Sequence, residues 1–181
     1  YTGGTLVSAG RLIGSTVSLQ GVIQNDAALE FAQATNGVFI GRIGGTGLLD
    51  KTGTGLLELT ADSSGLRGAT TVRGGELRVT GSLAGSATTI LSGATLSGTG
   101  TVGGLTARSG SVVSPGVNGL GMLGVNGAIQ LQSGSTLRLQ IQAPAGSDML
   151  IGNGALQLGG TAALTNLGGT YAFNSNYLLL Q

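Results

Sequence analysis

Residues 44–79 read GGTGLLDKTGTGLLELTADSSGLRGATTVRGGELRV. Short alternating runs stand between glycine corners here: Leu57 and Leu59 flank Glu58, and Leu77 and Val79 flank Arg78. A period of two marks strands with one buried face and one wet face. The pattern continues outward in both directions. Leu29 and Phe31 flank Glu30; Leu137, Leu139 and Ile141 alternate with Arg138 and Gln140; Leu156 and Leu158 flank Gln157. Gly, Ser and Asn punctuate these runs, which predicts strands of roughly three to six residues. Helix signals are nearly absent, since each interior Gly costs a helix about 1 kcal/mol. The glycine-free run Asn25 to Gln33 holds several helix formers, yet its Leu29, Glu30 and Phe31 alternate like a strand.

Repetition decides how such strands assemble. One apolar position per similar segment gives Leu6, Leu29, Leu57, Leu77, Leu96, Val113, Leu137 and Leu164, at steps of 23, 28, 20, 19, 17, 24 and 27 residues. A second set of strands is expected between them, including Val17 to Leu19, Val38 to Ile40 and Ala128 to Leu131. An imperfect period near 20 with several short strands per repeat predicts an all-β fold, a parallel β-solenoid of about seven or eight rungs. Leu, Val, Ile and Ala would form a continuous core, and Gly, Ser and Asn would take the corners.

The composition fits this reading and excludes others. Gly is 37 of 181 residues and Pro only 2, with no three-residue glycine period, so the chain is not collagen. Charged residues are 8%, hydrophobic residues 40% and mean hydropathy +0.36, which is the wrong balance for charge-driven disorder. His and Cys are both zero, so disulfides, zinc thiolate sites and imidazole-assisted nucleophiles are ruled out. A net charge of +1 without a basic run, and without Trp, argues against nucleic acid as a partner. No apolar run approaches the ~20 residues of a membrane helix, and no secretory leader pattern opens the chain. The abrupt start at Tyr1-Thr2-Gly3-Gly4 reads as the middle of a repeat, hence as a piece of a longer protein.

Two stretches go further than a generic solenoid. Lys51-Thr52-Gly53-Thr54-Gly55, then Thr70-Thr71-Val72, then Gly75-Glu76-Leu77-Arg78-Val79 resemble, in order and spacing, the passenger-associated repeat of bacterial autotransporters. The run Ser114-Pro115-Gly116 through Gly127, followed by Gly134-Ser135-Thr136-Leu137 and Ser147-Asp148-Met149-Leu150, resembles the membrane-proximal end of such passengers. Asn166 to Thr170 and the apolar Tyr177-Leu178-Leu179-Leu180 are similar to that region too.

The resemblance implies a right-handed, single-stranded parallel β-helix outside a Gram-negative cell. It further implies passenger-repeat rungs over 1–112 and C-terminal rungs with a cap over 113–181. That second part would act as an autochaperone during secretion, with an outer-membrane translocator barrel of the same precursor as partner. The expected role is a structural stem. The alternatives are an adhesin or self-association module that meets a host surface or like chains through the rod edges, and the accessory stalk of a surface serine protease.

Each motif that could mark a site also has a plain structural reading. Gly98 to Gly103 and Gly119 to Gly124 both match GxGxxG, but about one match arises by chance at this glycine content, and neither precedes a helix. Gly44 to Asp50 nearly spells a calcium nonapeptide, with the Asp one residue late. A lyase-type calcium cluster would need carboxylates together, whereas Asp26, Asp50, Asp62 and Asp148 are scattered. Glu58 and Glu76 could face each other on adjacent rungs as a glycosidase pair; cross-rung pairing with Arg73 or Arg78 explains them more simply. Only Thr52-Gly53-Thr54 and Thr99-Gly100-Thr101 offer the Thr-x-Thr pattern of an ice-binding face. The expectation is therefore a non-enzyme with no catalytic, cofactor-binding or metal-binding residues and no cofactor.

Overall fold

The computed structural model describes residues 3–144, 146–169 and 180, and those residues contain strands and turns but no helix. The strands stack in parallel as a β-solenoid of about seven turns. Most turns of chain contribute one strand to each of three walls.

The first wall runs Thr5–Val7, Ile23–Asn25, Ile43–Gly44 and, further along, Ser82–Leu83, Thr101–Val102, Met122–Val125 and Met149–Gly152. Two isolated parallel bridges, Gly45 to Leu66 and Asp62 to Ser82, carry it across the gap between its two sheets. The second wall is an unbroken eight-stranded sheet: Arg11–Gly14, Ala28–Ala32, Leu48–Thr52, Thr70–Val72, Thr88–Ile90, Leu105–Ala107, Ile129–Leu131 and Leu156–Leu158. The third wall runs Gly37–Phe39, Leu56–Leu59, Gly75–Val79, Ala94–Gly98, Val112–Pro115, Thr136–Gln142 and Thr161–Asn166. Gly146–Ser147 turns back antiparallel against Ile141 and Gln142.

Register places like above like. On the third wall Leu57, Leu77, Leu96, Val113 and Leu137 form one inward column, each 2% exposed or less. On the second wall Phe31, Lys51, Val72, Ile90, Ala107 and Leu131 form another. Phe31 and Phe39 meet edge to face across the core at 5.1 Å. Parallel strands joined in this way need corners at which backbone passes close to backbone. At Gly98 (φ +122°) a Cβ would lie 2.0 Å from the carbonyl oxygen of Val79 on the preceding turn.

Several expectations need correction. Leu6 and Leu29 do not belong to the Leu57 column. Leu6 pairs with Gln24 on the first wall and is 67% exposed, and Leu29 pairs with Leu49 on the second. Leu164 is two residues out of step, since Ala162 lies opposite Leu137 and Leu164 opposite Leu139. All three walls alternate alike, so sequence pattern alone can exchange one wall for another. Val17 to Leu19 is not a strand: the amides of Ser18 and Leu19 both bond to Ser15 O in a turn, and Val17 is 80% exposed. Leu156 and Leu158 sit in register with the buried Ile129 and Leu131, yet both are exposed, because no described strand pairs on their far side. The apolar Tyr177 to Leu179 lies outside the described residues; Leu180 forms a parallel bridge to Leu150 and packs on the core.

Candidate functional site

Most charged side chains tie neighbouring rungs together. On the outer face of the second wall, Arg11 reaches Glu30 at 2.6 Å and Asp50 at 2.8 Å, and Arg73 reaches Asp50 at 3.0 Å. Four successive rungs are thus joined, with two carboxylates on the inner pair of rungs clasped by an arginine from either side. Asp50, the acidic residue of the near-nonapeptide motif, is held by two guanidinium groups, an arrangement that suits an ion pair and not a cation site. No group of three or more Asp or Glu among the described residues is placed to hold a metal ion.

Glu58 and Glu76 come together on the third wall, as expected of adjacent rungs, with Arg78 between them. Arg78 lies 3.0 Å from Glu76 and 4.0 Å from Glu58. Glu76 also accepts from the Ser97 hydroxyl, and Glu58 accepts from Thr80 Oγ1 at 3.1 Å. Both carboxylates are occupied by structural partners, which suits cross-rung bracing. Arg73 serves the other wall.

Two buried charged groups were not singled out for their burial in the sequence. Lys51 is fully buried in the inward column between Phe31 and Val72. Its Nζ donates to the carbonyls of Thr52 at 3.1 Å, Gly53 at 2.9 Å and Gly74 at 2.9 Å. It fastens two successive corners from inside. Burial lowers its pKa from the ordinary lysine value, and the nearby Glu76 charge works the other way. The alternation Leu49, Asp50, Lys51 carried the signal: if Leu49 points in, so does Lys51.

Asp148 is also fully buried. Its Oδ1 accepts from Gly121 N at 2.8 Å and its Oδ2 from Gln140 N at 2.7 Å. The carboxylate joins the first wall to the third where the antiparallel excursion leaves the solenoid. Burial raises its pKa, opposed by these two amide donors.

The first glycine motif lies at corners, whereas Gly119 to Gly124 runs from the loop after Pro115 into the strand Met122–Val125. In Gly98 to Gly103 a Cβ at Gly98, Gly100 or Gly103 would come within 2.4 Å of a carbonyl oxygen on the preceding rung. Gly116 and Gly98 exchange backbone hydrogen bonds of 2.9 and 3.3 Å, which links the Ser114-Pro115-Gly116 turn to the same corner. Neither Thr-x-Thr segment builds a ladder. A single outward row, Thr71, Thr89 and Thr106, runs on into Gln130 and Gln157. Its inward neighbours Thr70 and Thr88 are buried at another corner, where Thr70 Oγ1 meets Ser86 Oγ at 2.7 Å.

One open cleft of about 570 Å³ lies near the N-terminal end, between Leu19 to Val22 and Val38 to Arg42. Its rim exposes Val22, Val38 and Ile40. It holds no cluster of acid, base or nucleophile.

No family model matches the chain. Among curated proteins it is similar to the Adhesin BmaC autotransporter of Brucella suis biovar 1 (strain 1330), with 37% identity over 121 residues. That match covers 65% of this chain and 4% of the relative, so the chain corresponds to a small part of that protein's length.

Proposed function

We propose that this chain is a length of the stem of an autotransporter passenger, lying outside a Gram-negative cell, at its surface or released from it. The observation that carries the reading is the unbroken parallel stack, in which the passenger-type motif makes the contacts that hold rungs together. Lys51 of Lys51-Thr52-Gly53 fastens two corners, and Thr70-Thr71-Val72 and Gly75 to Val79 enter two walls in register. The similarity to an autotransporter adhesin supports the same reading.

In this role no residue acts as acid, base or nucleophile. The rod transmits shape. Each rung offers an ordered edge on which the next can pair, so adding a rung avoids the cost of closing a fresh loop elsewhere. Within the proposal, residues 113–181 form the part that orders first as the chain emerges through a translocator barrel of the same precursor.

The test is surface display of the full precursor. Leu137→Ala, which removes a buried side chain from the third wall, should reduce the protease-accessible passenger at the cell surface. Leu6→Ala, at an exposed position, should leave display unchanged. Full display of both variants would remove the C-terminal nucleating role.

A second reading, a direct adhesive surface, is favoured by the name of the relative and by the apolar rim of the N-terminal cleft. Ile40→Asp should then abolish adhesion by the displayed rod without altering the amount displayed.

A further inference from the structure

The chain contains four Asn-Gly steps, at Asn36, Asn118, Asn126 and Asn153. In such a step the glycine amide nitrogen can attack the asparagine side-chain carbonyl carbon. Two freedoms are needed: the side chain must turn toward the following amide, and the backbone at the glycine must bend into a five-membered ring.

Three of the four steps lack both. Asn36 Oδ1 accepts from Leu56 N at 2.9 Å. Asn126 donates to Ala84 O at 3.4 Å and accepts from Asn153 Nδ2 at 2.8 Å, which also engages Asn153. Their glycines are crowded: a Cβ at Gly37 would lie 2.0 Å from Thr16 Oγ1, one at Gly127 3.2 Å from Gly104 N, and one at Gly154 2.4 Å from Gly127 C.

Asn118 differs on both counts. It is exposed in the loop after Pro115, its φ is +56°, and its side chain has no hydrogen-bond partner among the described residues. A Cβ built at Gly119 meets nothing within 4 Å. The geometry points to Asn118-Gly119 as a self-modification site of the folded rod, selected from four chemically equal steps by the structure around it.

The step balances without any cofactor. Gly119 N bonds to Asn118 Cγ, the Cγ–Nδ2 bond breaks, and the departing nitrogen leaves as ammonia with the proton lost by the Gly119 amide. Water then opens the succinimide at either carbonyl, giving aspartate or isoaspartate at position 118. The net change is amide plus water to carboxylate plus ammonium. The product places a new negative charge three residues before Gly121, whose amide is held by Asp148.

The test is peptide mass mapping of the folded protein held in mildly alkaline buffer, beside a sample held unfolded in urea. In the folded sample conversion at Asn118 should run roughly five- to tenfold faster than at Asn36, Asn126 or Asn153, the factor that breaking one hydrogen bond first would supply. In urea the four steps should converge. Asn118→Gln should abolish the fast conversion. Equal rates at all four sites in the folded protein, or a faster rate at any of the other three, would overturn the proposal. So would silence at Asn118 in the folded sample while the urea sample converts there.

Discussion

The Lys51 ammonium donates a 2.9 Å hydrogen bond to the carbonyl oxygen of Gly74, 23 residues ahead in sequence and one turn along the rod. Removing it leaves three corner carbonyls short of a donor. Lys51→Met should cost about 1–3 kcal/mol, as for hydrogen bonds to a charged group partly offset by apolar packing. Burial lowers the pKa of this amine in the folded state. Between the lowered value and the ordinary lysine value the unfolded chain binds more protons, so the wild type gains stability as pH rises through that window. Urea melts from neutral to alkaline pH should therefore show the deficit of Lys51→Met growing. A deficit that shrinks would reverse the sign.

Asp148 titrates in the opposite sense. Burial raises its pKa from the ordinary carboxylate value, so above that value the folded chain binds more protons than the unfolded chain. Its contribution to stability is complete below the unfolded pKa and declines as pH rises through the folded one. Asp148→Asn should remove this slope. Asp148→Ala should cost about 2–5 kcal/mol, because two buried amides, Gly121 N and Gln140 N, lose their acceptor. Equilibrium unfolding of the three proteins across acid pH reads both effects.

Leu137 and Leu139 are 2% and 1% exposed, so replacing either with Ala should cost about 2–5 kcal/mol. Leu6→Ala should fall within about 0.5 kcal/mol of wild type, since Leu6 is 67% exposed. Leu29→Ala, 1% exposed, is the matched core lesion near the other end. If the C-terminal rungs form first, Leu137→Ala slows refolding while Leu29→Ala mainly speeds unfolding. Stopped-flow chevrons decide between this and nucleation from the N-terminal end.

Asp50 holds two arginines whose side chains are 45% and 50% exposed. Such half-wet pairs are screened, so Asp50→Asn should cost no more than about 1–2 kcal/mol. Thermal melts at rising salt should bring variant and wild type together. A gap that persists at high salt would mark the network as hydrogen-bonded geometry more than charge.

The repeat was legible because corners and alternation are local. The spacing from Leu57 through Leu77, Leu96 and Val113 to Leu137 follows the register of one wall without error. Assignment of a segment to a wall was not legible: it depends on corner angles, and Leu29 alternates on the second wall as Leu57 does on the third. Lys51 shows the same limit. Its alternation places it inward, but only three carbonyls gathered from two turns explain how a lysine occupies a column of Phe and Val. Val17 to Leu19 falls where the repeat leaves room for a strand, yet the Ser15 carbonyl closes a turn there.

Stacked parallel strands set their hydrogen bonds along the rod, so a pull on the two ends loads those bonds in opening mode. Resistance is then not shared by the whole length. The outermost rung carries the tension and peels before its neighbour is tested. A rung that occupies about 4.8 Å of rod releases roughly 65–70 Å of chain when its ~20 residues are drawn out. Under drag the molecule pays out slack in discrete lengths and can rewind on the surviving edge, which makes the rod a tether with built-in give.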